Sequence, residues 1–187
     1  MILYIAPTPL NKLDKKERVS GWHCVPLEKK AKQDWRAMLA QLKEKGVQRV
    51  LSSDLDQEAA RIAGDELHVP VSTEYYLRRF NFGRFHATPL DNARTVLVGL
   101  EKRWAENPDI PIKEGDSLTS FMRRFPRRFN QLLSSTGTAL LITDLLTIAF
   151  VRGGMDCHSL IPNGNPVFRG KIYKVTVRSN EQTHHAV

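Results

Sequence analysis

The chain has 187 residues, with 28 Lys and Arg against 20 Asp and Glu, so its formal net charge is +8 with histidine neutral. Its hydrophobic fraction of 41% excludes a chain that is disordered throughout, and its charged fraction of 26% is ordinary for a globular protein. One domain is the default at this length. We expect it to span residues 1–178, with a mobile polar tail over 179–187.

The first half of the chain alternates short apolar runs with amphipathic ones. A buried strand is predicted over 3–6, where Pro7 and Pro9 end it. From Glu28 a helical period begins, and Gly46 follows it as a C-terminal cap would. The other elements predicted here are a strand over 47–51, a helix over 55–67 capped by residues 52–54, and a short extended segment over 69–71.

The second half begins with an aromatic and arginine-rich stretch over 75–89 that has no clean period, which we interpret as a long excursion over the sheet. Ser117 is a candidate cap for a helix ending near 134, in which Pro126 predicts a kink or a break. The further predicted elements are a helix from Asp91 to 105, a central strand over 138–143, a helix over 145–151, a turn at 162–164 and a last strand over 171–177. This alternation predicts a three-layer α/β/α sandwich around a mixed, mostly parallel sheet.

Cysteine usage and hydropathy predict where the protein works. Cys24 and Cys157 lie far apart without a CxxC pair, so we expect two buried or half-buried free thiols in a reducing compartment. The apolar residues 1–6 lack the basic start of a signal peptide, and the longest apolar run, over 139–151, is far shorter than the roughly 20 residues of a membrane span. We therefore predict a cytoplasmic protein with no membrane partner.

Several segments resemble, in their order and spacing, motifs of one enzyme family. They are Leu3-Tyr4-Ile5-Ala6, Gly21-Trp22 with Val25-Pro26-Leu27, Ser52-Ser53-Asp54-Leu55, Leu77-Arg78 with Asn81-Phe82-Gly83, Gly115-Asp116-Ser117, and Ile161-Pro162-Asn163-Gly164. Together they resemble the histidine phosphatase superfamily, in its phosphoglycerate-mutase-like branch, over nearly the whole chain. The resemblance implies a phosphoglycerate-mutase-like fold.

The chain departs from that family at the positions where the resemblance would place the catalytic groups. The family transfers a phosphoryl group through a phosphohistidine, with arginines on the phosphate, an acid for the leaving group and a second histidine. Pro7-Thr8-Pro9 stands where Arg-His-Gly is expected, and Gln57 stands in place of an arginine. Arg79 replaces the acid and Asp144 replaces the second histidine.

These changes predict a catalytically inactive pseudophosphatase that acts as a binding or interaction module. A threonine hydroxyl is a poor nucleophile without a base, and a carboxylate beside a phosphate dianion repels it. The degenerate pocket of Pro7, Thr8, Gln57, Arg79 and Asp144 is then a candidate ligand site, with an unknown protein or a small anionic ligand as partner. An alternative is a phosphatase-like enzyme with a rebuilt site, in which Asp144 activates Thr8 or a water, or recruits a metal.

A second alternative is a nucleic-acid-associated protein. Phe121, Phe125 and Phe129 recur at fourfold spacing, and the arginines between them form a candidate anion-binding ridge of Arg123, Arg124, Arg127 and Arg128. A solvated basic face is the simpler reading of the same pattern. Likewise, the aromatic residues interleaved with Arg78, Arg79 and Arg84 are interpreted as core rather than as base-stacking groups.

The other sequence signatures give little information about function. Gly115-Asp116-Ser117-Leu118 spells a serine esterase motif, but its position favours helix capping by Ser117. The sequence contains neither GxxxxGK[ST] nor GxGxxG, and its histidines show no metal-ligand spacing, so we predict no cofactor and no metal.

Overall fold

The computed structural model describes residues 1–134, 137–145, 147–148 and 170–176. These residues form a five-stranded sheet in the order β3-β2-β4-β1-β5. The strands are β1 (Ile2–Pro7), β2 (Arg49–Ser52), β3 (Val71–Thr73), β4 (Thr138–Thr143) and β5 (Tyr173–Thr176). The α-helices are α1 (Lys29–Ala40), α2 (Gln57–Leu67), α3 (Leu90–Glu106) and α4 (Leu118–Leu133).

Four neighbouring strands of the sheet are parallel, and the strand at one edge is antiparallel. β1 pairs with β4 in parallel, with Leu3 opposite Ala139, and β2 lies parallel to both β4 and β3. β5 is antiparallel to β1. The predicted mixed, mostly parallel sheet is therefore confirmed.

Helices cover both faces of the sheet because its central strands carry apolar side chains on both faces. On one face Leu3, Ile5 and Leu141 share a core with the phenylalanines of α4. On the other face Tyr4 and Leu140 share a core with buried residues of α1 and α2. This arrangement is the predicted α/β/α sandwich.

Three helices differ from the predictions by one or two residues at their ends. The prediction that Gly46 caps the first helix is wrong, because α1 ends at Ala40 and a run of turns over 41–46 follows it. α2 begins at Gln57 rather than 55, and the side chain of the preceding Asp56 makes no cap hydrogen bond because it is engaged elsewhere. α4 continues through Pro126 without a break, held by its buried phenylalanine stripe. Ser117 caps α4 as predicted: its hydroxyl accepts from the amide of Ser120, and the Ser120 hydroxyl accepts from the amide of Ser117.

The excursion over 75–89 contains two short 3₁₀ helices, Tyr75–Leu77 and Gly83–Phe85. Phe80 is fully buried in the core against α4, which confirms the structural interpretation of that aromatic side chain. The excursion meets the loop before α4 at Gly83 and Gly115, where the two backbones approach so closely that a Cβ on Gly83 would lie 2.2 Å from the Lys113 carbonyl oxygen. These glycines fix how the excursion sits on the domain.

Some predictions fall wholly or partly outside the described residues. The helix over 145–151 is helical at 145, 147 and 148, and the turn at 162–164, the tail and Cys157 are not described. The prediction for Cys24 is wrong: its thiol is exposed, because it lies in the loop before α1 rather than on a core-facing element. No described helix is both long and apolar enough to cross a membrane.

Candidate functional site

Three parallel strands end side by side at one edge of the sheet. Thr8 follows β1, residues 53–56 follow β2, and Asp144 follows β4. The carboxyl edge of a parallel sheet is where α/β folds bind their ligands, because the loops after each strand converge there. The amide of Thr8 donates to the carbonyl of Thr143 at 2.7 Å, which ties the ends of β1 and β4 together.

The centre of this edge is the buried carboxylate of Asp56. One oxygen, Oδ1, accepts from the Thr8 hydroxyl at 3.2 Å and from Nη2 of Arg79 at 3.2 Å. The other, Oδ2, accepts from the Ser53 hydroxyl at 2.6 Å. The side chains of Arg79 and Asp56 are only 8% and 4% exposed, so this ion pair is almost entirely removed from water.

Arg79 reaches Asp56 because its backbone is held by neighbouring elements. The indole Nε1 of Trp22 donates to the Arg79 carbonyl at 2.7 Å, and Nη2 of Arg124 donates to the same oxygen at 3.2 Å. Arg124 also donates to the Arg78 carbonyl and to the carboxylate of Asp116. Burial lowers the pKa of Arg124, although Asp116 opposes this effect. The guanidinium of Arg124 therefore orients the loop that carries Arg79.

The remaining donors of Arg79 are incompletely matched. Nη1 donates to the Ser20 hydroxyl at 3.2 Å. Nε is buried and has no hydrogen-bond acceptor among the residues that the structure describes. An unmatched donor of this kind is costly inside a protein, so it marks a place where an acceptor would be stabilising.

A second ion pair stands beside the first. Arg78 donates through Nε and Nη2 to the two oxygens of Asp54, at 2.7 and 2.5 Å. This bidentate hydrogen bond lowers the pKa of the Asp54 carboxyl. The Arg78 guanidinium also lies 4.7 Å from the ring centres of both Trp22 and Tyr75.

Asp144 is oriented toward its own helix. Its two carboxylate oxygens accept from the amide of Thr147 at 3.1 Å and from the Thr147 hydroxyl at 2.5 Å, as in an N-cap. The Thr8 hydroxyl, in contrast, is directed to Asp56.

Of the predicted pocket residues, the structure brings Thr8 and Arg79 together on Asp56. Gln57 is the exposed first residue of α2, and Pro7 is buried in β1 opposite Thr143. Sequence analysis missed Asp56. The sequence did contain a signal for it. An arginine stands at position 79 where the family has an acid, and a buried arginine needs a carboxylate partner.

The predicted basic ridge is divided by its contacts. Arg123 and Arg127 are exposed. Arg124 is turned inward to Asp116, and Arg128 donates to both carboxylate oxygens of Glu74, at 2.5 and 2.7 Å. Two of the four arginines are therefore compensated by acids.

The described residues offer no metal centre, since they contain no group of three or more His, Cys, Asp or Glu side chains placed to hold an ion. Two histidines do meet: the rings of His23 and His86 stack with their centres 3.4 Å apart. Burial, and then the charge of His23, lower the pKa of His86.

Comparison with known proteins gives a consistent result. The family model of the histidine phosphatase superfamily, branch 1, matches residues 11–153, a range that begins just after Pro7-Thr8-Pro9. No curated protein matches the sequence.

Solved structures share the fold at low identity. The chain is similar to a phosphoglycerate mutase from Bacillus anthracis, with 19% identity, coverage of 100% of this chain and 92% of that one, and a TM-score of 0.79. It is similar to a putative alpha-ribazole-5'-P phosphatase from Escherichia coli, with 16% identity, 100% and 96% coverage, and a TM-score of 0.79. The alpha-ribazole phosphatase from Shigella flexneri is 17% identical over 95% and 91% of the two chains, with a TM-score of 0.76.

Proposed function

The chain belongs to the histidine phosphatase superfamily, and from the residues at its strand ends we propose that it is a catalytically inactive member that acts as a binding or interaction module. The observation that carries this proposal is the buried Asp56–Arg79 ion pair, which engages the Thr8 hydroxyl. By the resemblance described above, Thr8 stands at the position of the nucleophilic histidine.

Phosphoryl transfer needs a nucleophile that can attack in line, and Thr8 is poorly suited to this. An unactivated hydroxyl needs a base to remove its proton. The nearest described base is Asp56, whose oxygens already accept from Arg79 and Ser53. Both oxygens of the Asp56 carboxylate are therefore already occupied by donors other than Thr8.

The charge at the site also opposes the family's chemistry. Arg79 and Asp56 cancel one another, as do Arg78 and Asp54, and Asp144 adds a carboxylate, which accepts from the amide and the hydroxyl of Thr147. In the transition state, the transferred phosphoryl group carries negative charge that an active site must stabilise with positioned cations. Here the described cations of this edge are neutralised by acids.

The same pair supports a binding role. The buried Nε of Arg79 is a donor without an acceptor among the described residues, and an oxygen of a small anionic ligand would match it. Arg79→Lys would keep the positive charge and remove the planar donor set. A thermal-shift assay should therefore detect binding of acetate or inorganic phosphate to the native chain, and this binding should be lost in Arg79→Lys.

The alternative is an enzyme with a rebuilt site, which one observation favours: Thr8 and Asp56 are within hydrogen-bonding distance, as a nucleophile and its base must be. In that case Asp56, rather than Asp144, would be the base acting on Thr8. The two functions differ in whether the native chain turns over a phosphomonoester.

The test is to restore the family's groups and compare hydrolysis of p-nitrophenyl phosphate. The restored variant carries Pro7→Arg, Thr8→His, Gln57→Arg, Arg79→Glu and Asp144→His. It also carries Asp56→Asn, because Glu at position 79 beside a buried Asp56 would place two carboxylates together. We expect no turnover by the native chain and measurable turnover by the restored variant.

A matched control keeps all restored changes except that Thr8 becomes Gln, which has similar size but no nucleophilic imidazole. Turnover should vanish in this control. Turnover by the native chain that is lost in Thr8→Ala or Asp56→Asn would overturn the proposal and establish the rebuilt enzyme.

A further inference from the structure

An aromatic platform is exposed beside the site. Tyr75 and Tyr76 are 47% and 58% exposed, and their rings meet edge to face with centres 5.6 Å apart. The 3₁₀ helix that carries them is anchored by the fully buried Leu77. Tyr75 is further held by an edge contact with Trp22 at 5.5 Å and by the Arg78 guanidinium at 4.7 Å.

This exposure is unusual for rings that are so firmly held. Large aromatic side chains are normally buried, because that removes apolar surface from water. Here Trp22 and Arg78 hold the Tyr75 ring, which still stays 47% exposed, so little side-chain entropy remains for it to lose when a partner contacts it. The platform is therefore preorganised for a flat partner.

Helix α4 contacts the segment that carries the platform through two of its arginines, Arg124 and Arg128. Arg124 lies 5.9 Å from the ring centre of Tyr75, and Arg128 pairs with Glu74, the residue before it. Arg123 and Arg127 form the next row of the helix, one residue earlier in each case and farther from the phenylalanine stripe.

The two rows differ in charge. Arg124 and Arg128 are neutralised by Asp116 and Glu74. Arg123 and Arg127 are exposed and make no ion pair with a described residue. The surface thus combines two tyrosine rings that meet edge to face with two guanidinium groups outside any ion pair among the described residues, on a chain of net charge +8.

We infer that this surface, formed by Tyr75, Tyr76, Arg123 and Arg127, binds single-stranded nucleic acid. Aromatic rings stack on unpaired bases of any sequence, and arginines contact the phosphates between them. A duplex hides its base faces, so it would use only the arginines. The inference does not depend on the proposed inactivity of the strand-end site.

The test is fluorescence anisotropy with a labelled oligomer of twelve thymidines and the full chain. The two arginine contacts predict that the logarithm of the binding constant falls with the logarithm of salt concentration with a slope of about −1.4. Tyr76→Ala should weaken binding about 5- to 150-fold, the range for loss of one stacked base, while Tyr76→Phe keeps the ring and should restore it.

Arg127→Glu should weaken binding and reduce the salt slope by about half. The matched control is Lys45→Glu, which changes the charge by the same amount. Lys45 is exposed and precedes β2, so it lies at the amino ends of the strands, whereas the platform follows the carboxyl end of β3. Lys45→Glu should change binding much less.

Three results would overturn the inference: no binding at low salt, binding that survives both Tyr76→Ala and Arg127→Glu, or equal binding of duplex and single strand. Preferential binding of anionic phospholipid vesicles or poly-glutamate over the thymidine oligomer would also overturn it, in favour of a membrane or an acidic protein partner.

Discussion

The Asp56–Arg79 pair makes a prediction in which removing one partner costs more than removing both. Replacing Arg79 by Met leaves the Asp56 carboxylate buried with only two hydroxyl donors, from Thr8 and Ser53. Replacing Asp56 by Asn leaves the Arg79 guanidinium buried without a charged acceptor. Breaking a buried pair in this way costs about 3–5 kcal/mol of unfolding free energy.

The structure ranks the two variants. Asp56 keeps two hydrogen bonds after Arg79→Met, so we expect a loss near the lower figure, about 3 kcal/mol. After Asp56→Asn, the acceptors left to Arg79 are the Ser20 hydroxyl and the amide oxygen of the new side chain, both uncharged, so the buried guanidinium has no counter-charge and we expect a loss near the upper figure, about 5 kcal/mol. The double variant should lose about 1 kcal/mol or less, because no buried charge is left alone.

Urea unfolding followed by tryptophan fluorescence measures these differences, and a thermal scan should show a fall of about 6–12 °C for the Arg79→Met variant. The two variants also differ in the charge they remove. Arg79→Met removes the positive charge of the pair and Asp56→Asn removes the negative charge. Losses below about 1 kcal/mol in both single variants, as for an exposed pair, would refute the reasoning.

Three further predictions concern the fold around the site. Gly83→Ala should destabilise the chain by more than about 2 kcal/mol in urea unfolding, since the new Cβ would lie 2.2 Å from the Lys113 carbonyl oxygen and the backbone there is left-handed, with φ +48°. The control is Gly99→Ala, in open space on α3, which should stabilise the chain by about 0.5–1 kcal/mol. Ser117→Ala should cost about 1 kcal/mol through loss of the α4 cap, and no loss would show that the cap is not needed. Because the folded-state pKa of His86 is lowered, the unfolded chain binds its proton more readily, so stability should fall as pH drops below about 6.5; His86→Gln should flatten that part of the profile, and an unchanged profile would contradict this.

The central sheet was predictable from the sequence because its strands are nearly all apolar. β4 was predicted with its observed bounds, Thr138–Thr143, and β1 to within a residue at each end. A strand buried on both faces has little choice of pattern, so a continuous apolar run identifies it. β3 was predicted two residues early, since its three residues are all exposed and carry no burial pattern.

The site was only partly predictable. Thr8, Arg79 and Asp144 were found as departures from a family pattern, but which of them touch was not visible in the sequence. The ion pair joins residues 23 positions apart through a loop that is set by Trp22 and Arg124, and such long-range hydrogen bonds leave no local signal. The division of the basic ridge was hidden for the same reason, because it depends on Glu74 and Asp116 elsewhere in the chain.

The measurement that tests the central claim most directly compares the native chain with its Thr8→Ala variant, side by side, for hydrolysis of a series of phosphomonoesters at neutral pH. An ion pair in place of the phosphoryl-transfer groups predicts the same background rate for both proteins with every ester. A native rate above that of the variant, with any one ester, would contradict it.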